Sequence, residues 1–207
     1  TVLAWKGYTI YVDPVNGASA YAGLPRADLV LVTHSHGDHF DSATITGIKG
    51  TKVLILAPAN VQSSLPTSLK TNSQVMINGS TTNVPGITID AIPSYNFTSG
   101  NHPKGVGNGY VLTIGGRRFY FAGDTDDIPE MRALSGIDVA FLPAYAQFTM
   151  SAAKAADAAR QFKPRIVYPY HYASPTATAA QATPTANQMK QLIGTDLGIE
   201  VRLRKWY

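Results

Sequence analysis

Three histidines and an aspartate fall within six residues, His34-Ser35-His36-Gly37-Asp38-His39, directly after the apolar run Leu29 to Val32. Imidazole and carboxylate are good ligands for zinc and similar divalent ions. His34 and His36 are two apart, so on an extended backbone their side chains project the same way. Asp38 and His39 follow where a helix is expected to begin, and turn towards a second point. Gly37 is expected to supply the tight backbone for that turn. One short loop can thus feed two neighbouring metals. The alternative, a polar surface loop that happens to be rich in histidine, sits poorly at the end of a buried strand.

The pattern around this loop predicts an α/β protein. Strands are expected at Tyr8 to Val12, Asp28 to Val32, Lys52 to Leu56, Gly86 to Ile92, Tyr110 to Ile114, Arg118 to Ala122, Asp138 to Leu142, Arg165 to Tyr168 and Glu200 to Trp206. Gly115-Gly116 reads as a hairpin turn between two of them. Ser151 to Phe162 places alanines and Phe162 on one helical face, with Ser151 as N-cap and Pro164 beyond its end. Further helices are predicted at Ser42 to Ile48, Ile128 to Leu134 and Thr185 to Ile193. The Ala/Thr/Pro-rich stretch Ala173 to Ala186 reads as a flexible excursion within a single domain spanning residues 1–207.

Composition removes several classes of function. There is no cysteine, which excludes disulfides, thiolate nucleophiles and Cys-type zinc sites. The net charge is +4, but only 14% of residues are charged, and the basic clusters are confined to Arg117-Arg118 and Arg202, Arg204 and Lys205. That pattern gives nucleic-acid binding little support and implies at most a mild attraction for anionic substrates or membrane surfaces; the partner expected is a small-molecule substrate. No apolar run is long enough to span a bilayer, so no stable membrane insertion is expected. Thr1 is not a natural initiator, which suggests that a targeting segment has been removed. The low charge suits a periplasmic or secreted protein, with the cytoplasm as the alternative. The oligomeric state is not legible.

The spacing His34-x-His36-x-Asp38-His39 resembles the signature of the metallo-β-lactamase fold superfamily. Val12-Asp13-Pro14, Phe121-Ala122-Gly123-Asp124-Thr125 and Pro169-Tyr170-His171-Tyr172 resemble further elements of that family, so the resemblance covers nearly the whole chain. Within the superfamily it looks closest to metal-dependent hydrolases related to ascorbate-phosphate lactonase. The resemblance implies a four-layer αββα sandwich, two mixed sheets flanked by helices, with two metals at one edge. It implies His34 and His36 on the first metal, Asp38, His39 and His171 on the second, and Asp124 bridging the pair. Many relatives carry one more histidine after the strand that here ends Pro93-Ser94-Tyr95-Asn96. His102 is the one histidine left for that post, with Asn96 or water as the alternative.

The implied activity is hydrolysis of a lactone, ester or phosphodiester by a hydroxide shared between two divalent metals, zinc first and manganese or iron as substitutes. β-Lactams rank below these. Asp38 is expected to orient the hydroxide and take its proton, and Tyr145 is a candidate hydroxyl donor. Tyr95, Asn96 and Tyr172 are candidate pocket residues. Asp126 and Asp127 are expected either to hold a ligand histidine or to cap a helix. Two other readings stay open: an iron-loaded oxidoreductase of the same fold, and a non-catalytic metal-binding protein. Ser151-Ala-Ala-Lys154 matches the Ser-x-x-Lys of serine β-lactamases, but the companion elements are missing, so Lys154 is expected to be solvated. Gly105-Val-Gly107-Asn-Gly109 precedes a strand and reads as a flexible segment over the site.

Overall fold

The computed structural model describes residues 1–98, 100–174 and 176–204. Val2–Trp5 (β1) and Tyr8–Val12 (β2) open the chain as an antiparallel hairpin. Ala27–Leu31 (β3), Lys49–Ala57 (β4) and Ser73–Val75 (β5) then add in parallel, in the order β1-β2-β3-β4-β5. The second sheet starts as an antiparallel meander of Thr81–Val84 (β6), Ile87–Ser94 (β7), Gly107–Ile114 (β8) and Arg117–Phe121 (β9). Val139–Pro143 (β10), Ile166–Tyr170 (β11) and Glu200–Val201 (β12) continue it in parallel.

The burial of alternate side chains explains the layers. Leu29, Leu31, Ile10 and Leu56 point inward from the first sheet and meet Ile89, Tyr110, Leu112 and Phe121 of the second. Val30, Val32 and Ile55 point the other way, onto Ile45 and Ile48 of Ser42–Ile48 (α1), Val61 of Ala59–Ser64 (α2) and Leu69 of Thr67–Lys70 (α3). Both faces of β3 are therefore buried, which is why its sequence is a continuous apolar run. The outer face of the second sheet is covered by Pro129–Arg132 (α4), Ala152–Phe162 (α5) and Ala179–Ile193 (α6). The result is the αββα sandwich expected from the sequence, with parallel strands in both sheets.

Several elements depart from the sequence reading. Helix α6 begins inside the stretch expected to be a loop. Thr178 and Gln181 form a reciprocal cap that starts it, and Pro184 is accommodated within it. The strand expected at Glu200 to Trp206 pairs only over Glu200–Val201, and Lys205 and Trp206 lie outside the described residues. The predicted helix at Ile128 to Leu134 shortens to α4, with Ile128 rather than Asp127 at its N-cap. Gly107 and Gly109 belong to buried β8 and are not a flexible cover. A Cβ on Gly109 would lie 2.8 Å from the Ala122 carbonyl oxygen, so glycine here serves close strand approach. Gly115 and Gly116 do turn the β8–β9 hairpin, at φ 56° and 77°. No described helix is long and apolar enough to cross a membrane.

Candidate metal centre

The predicted ligands come from both sheets and meet at one rim. His34 lies three residues beyond the end of β3, and the chain then folds into a turn in which the His39 and Phe40 amides donate to the His36 carbonyl at 2.9 and 2.8 Å. Asp38 and His39 therefore sit on this turn, and α1 starts only at Ser42, capped by Asp41. Gly37 is not in the left-handed region, and a Cβ there would meet nothing within 4 Å, so the turn does not depend on it.

Asp124 follows β9 and His171 follows β11. Gly123, at φ 66°, lets the chain leave β9 against the Asn108 carbonyl, Ser94 and Thr33, and Thr125 Oγ1 accepts from the Tyr95 amide at 3.2 Å. The Gly-Asp-Thr element thus works by fit, projection and anchoring in turn. His171 has φ 42°, an unfavourable backbone for a non-glycine residue at the site's edge.

The candidate ligand atoms form three overlapping groups: His34, His36 and His102; His34, His39 and Asp124; and Asp38, His39 and His171. Within each group they lie no more than 4.8 Å apart. Asp124 is buried at the centre. Its Oδ1 is 3.3 Å from His39 Nε2, and its Oδ2 is 3.3 Å from His102 Nε2, 3.4 Å from His171 Nε2 and 3.9 Å from His34 Nε2. The Nε2 atoms of His34, His39 and His102 and the Oδ1 of Asp124 are buried without a hydrogen-bond partner. A buried polar atom without a partner is costly. Imidazole and carboxylate lone pairs converging in this way are the donor set that a divalent cation satisfies, so the residues present fit a metal.

Neighbours set which nitrogen of each ring faces the centre. His39 Nδ1 donates to Asp13 Oδ2 at 2.8 Å. Asp13 is held in turn by the Thr33 amide at 2.8 Å and the Thr33 hydroxyl at 2.7 Å. That hydroxyl lies 3.0 Å from His34 Nδ1. His102 Nδ1 meets Asn96 Oδ1 at 2.6 Å, while the Asn96 amide donates to the His102 carbonyl at 2.9 Å. The structure thus gives the two candidates for one post separate positions: His102 faces the centre and Asn96 orients it.

Electrostatics follow from burial and from these contacts. Desolvation pushes His34 down to about 3 and lowers His36 as well. His39 is also penalised by desolvation, but the Asp124 and Asp13 carboxylates outweigh it and raise the ring to about 9. His171 is raised despite its burial by its hydrogen bond to Asp38, at 3.1 Å, and by Asp124. The same bond holds Asp38 down at about 2. Asp124 lies well below the usual carboxylate range, because the surrounding histidines overcome its burial.

Other predicted residues fall around this centre. Tyr145 lies beside it, its ring 6.1 Å from that of His171, with its hydroxyl on Gln147 at 3.0 Å. Tyr172 lines a groove next to His171, and its hydroxyl reaches the Arg204 carbonyl at 3.0 Å. Tyr95 is a core residue whose hydroxyl binds Glu130 at 3.1 Å. Asp126 and Asp127 hold no ligand histidine. Asp126 accepts from the Phe97 amide at 3.1 Å and from Lys154 at 3.3 Å, so Lys154 is paired; Asp127 binds Arg132. Asp13 is the carboxylate that sequence reasoning missed. Its signal was an aspartate at a buried strand end just before Pro14.

Residues 1–171 match the β-lactamase superfamily domain. A UPF0173 metal-dependent hydrolase of Pyrococcus abyssi is 36% identical over 174 residues, covering 79% of this chain and 76% of that protein. The crystal structure of a Parabacteroides distasonis protein assigned to the metal-dependent hydrolases superposes with a TM-score of 0.82 at 39% identity, covering 98% of this chain and 87% of that one. A metallo-β-lactamase fold protein of Bacillus subtilis superposes with a TM-score of 0.76 at 14% identity, over 99% and 87% of the two chains, a likeness of fold alone. With its His/Asp centre at the rim of an αββα sandwich, the chain belongs to the metallo-β-lactamase superfamily, among the UPF0173 metal-dependent hydrolases.

Proposed function

We propose that the cluster binds two divalent metal ions and hydrolyses a lactone, ester or phosphodiester. The observation that carries this reading is Asp124, a buried carboxylate whose two oxygens face the Nε2 atoms of four histidines. His34, His36 and His102 would hold one ion, Asp38, His39 and His171 the other, with Asp124 between them. Zinc suits so imidazole-rich a set, and manganese or iron would be the substitutes. Bound here, the ions would lower the pKa of an attacking water and polarise the substrate oxygen.

The chain's own residues supply orientation and proton handling. Asp13, Thr33 and Asn96 fix the rings of His39, His34 and His102 with Nε2 inward. Asp38 is partly exposed at the mouth and is a carboxylate across the neutral range, so it can orient the attacking water and accept its proton. Tyr145, whose ring lies 6.1 Å from that of His171, would donate its hydroxyl hydrogen to a substrate oxygen by giving up its bond to Gln147.

Metal analysis of protein purified without added metal, followed by a panel of lactones, esters, phosphodiesters and β-lactams, tests this. Two ions per chain are expected, with turnover lost on chelation and restored by zinc. His102→Ala should retain one ion and lose at least about tenfold in activity. Turnover that survives complete chelation, or iron-loaded protein inert on the whole panel, would sink the reading.

A further inference from the structure

Beside His171 the surface opens into a groove of about 550 Å³ between the loop after β10 and helix α6. Two residues connect it to the metal centre. Tyr145 lies against His171, and Ala173 also lines the cavity of about 300 Å³ fronted by Asp38, His39 and His171. A substrate reacting at the centre can reach this groove past Tyr145 and Ala173.

Every described side chain lining the groove is uncharged. The polar ones are hydroxyls and amides, including Gln147, Thr185 and Gln188, groups that both donate and accept hydrogen bonds. The N-termini of α5 and α6 reach the groove, and such ends attract anions. In each, one first-turn amide is taken by its cap: Ser151 Oγ accepts from the Lys154 amide at 3.3 Å, and Thr178 and Gln181 cap one another. A phosphate seated here would leave water without meeting a cation. A polyol would exchange its water contacts for amides and hydroxyls.

We propose that this groove seats an uncharged, polyhydroxylated part of the substrate, and so selects neutral over phosphorylated carbonyl substrates. The proposal rests on the hydrolytic reading for where the reacting bond lies, while the groove's chemistry is independent of it.

Metal-loaded protein titrated with methyl glucoside, a polyol without a hydrolysable ester, tests the groove through the side-chain amide resonances of Gln147 and Gln188. Saturable shifts at both are expected. Gln188→Leu, an exposed change on α6, should abolish the shifts at Gln147 and leave the melting temperature in place. In parallel, kcat/KM for δ-gluconolactone should exceed that for its 6-phosphate at least tenfold. Unmoved amide resonances, or a preference for the phosphorylated lactone, would overturn the proposal. If esters are hydrolysed while the glucoside shifts nothing, the groove assignment alone fails. If the glucoside binds as described while no carbonyl or phosphoester substrate turns over, the hydrolytic reading fails and the groove assignment is supported.

Discussion

Asp13 shows how much of the centre depends on a residue that touches no metal position. Its backbone is held at φ 49°, a conformation that costs roughly 1–2 kcal/mol in a non-glycine residue. In return its carboxylate receives the amide and hydroxyl of Thr33 and the Nδ1 of His39. Asp13→Asn keeps the shape but removes the charge behind His39. Metal affinity should fall about 10- to 100-fold, measured by competition with a chromophoric chelator. Unchanged affinity would remove Asp13 from the account. The loop His34 to His39 was legible because its chemistry is local in sequence. Asp13 and His39 are 26 residues apart, and nothing in either segment names the other. The same limit left His102 and Asn96 as alternatives until the loop between them closed on itself.

Among the elements, β8 shows where sequence and structure part. Its glycines suggest mobility, because glycine adds backbone freedom. In the fold they mark close approach: Gly109 lies against the carbonyls of Phe121 and Ala122, and Gly107 against Ser94 and His34. Gly109→Ala should destabilise the protein by about 1–3 kcal/mol, read as a lower denaturant midpoint. A neutral effect would mean that the two strands separate readily. Helix α6 erred in the opposite direction. A helix is expected at Thr185 to Ile193, but the alanine, threonine and Pro184 before it read as a loop, whereas the Thr178–Gln181 cap and the buried Ala182 carry the helix back to Ala179. Strands such as β3 and β9 were readable because burial on one or both faces leaves a pattern. Edge strands β5 and β6, short and mostly exposed or half-buried, leave little.

At the scale of the molecule, a bound ion is a structural element as well as a chemical one. Ligand binding to the folded state alone adds stability of about 4 kcal/mol at a thousandfold excess over Kd. In a chain of this size each kcal/mol is worth about 2–4 °C. Chelation should therefore lower the melting temperature by roughly 10 °C, followed by calorimetry, with recovery on adding zinc. An unchanged melting temperature would mean that the centre forms without help from an ion. The layered architecture was legible from the αββα resemblance and from strand patterning, whereas the way the two sheets share the centre emerged only in three dimensions.

That sharing has a consequence for how the protein can vary. The first sheet is built wholly from residues before 76 and the second wholly from residues after 80. His34, His36, Asp38 and His39 hang from the first, while His102, Asp124 and His171 hang from the second. Neither half owns a complete set of donors. The sandwich behaves like a two-key lock: a core substitution far from the rim that slides one sheet across the other by a fraction of an ångström misaligns both keys. The inter-sheet core is thus answerable to the chemistry at its edge, and drift in one half has to be matched by drift in the other.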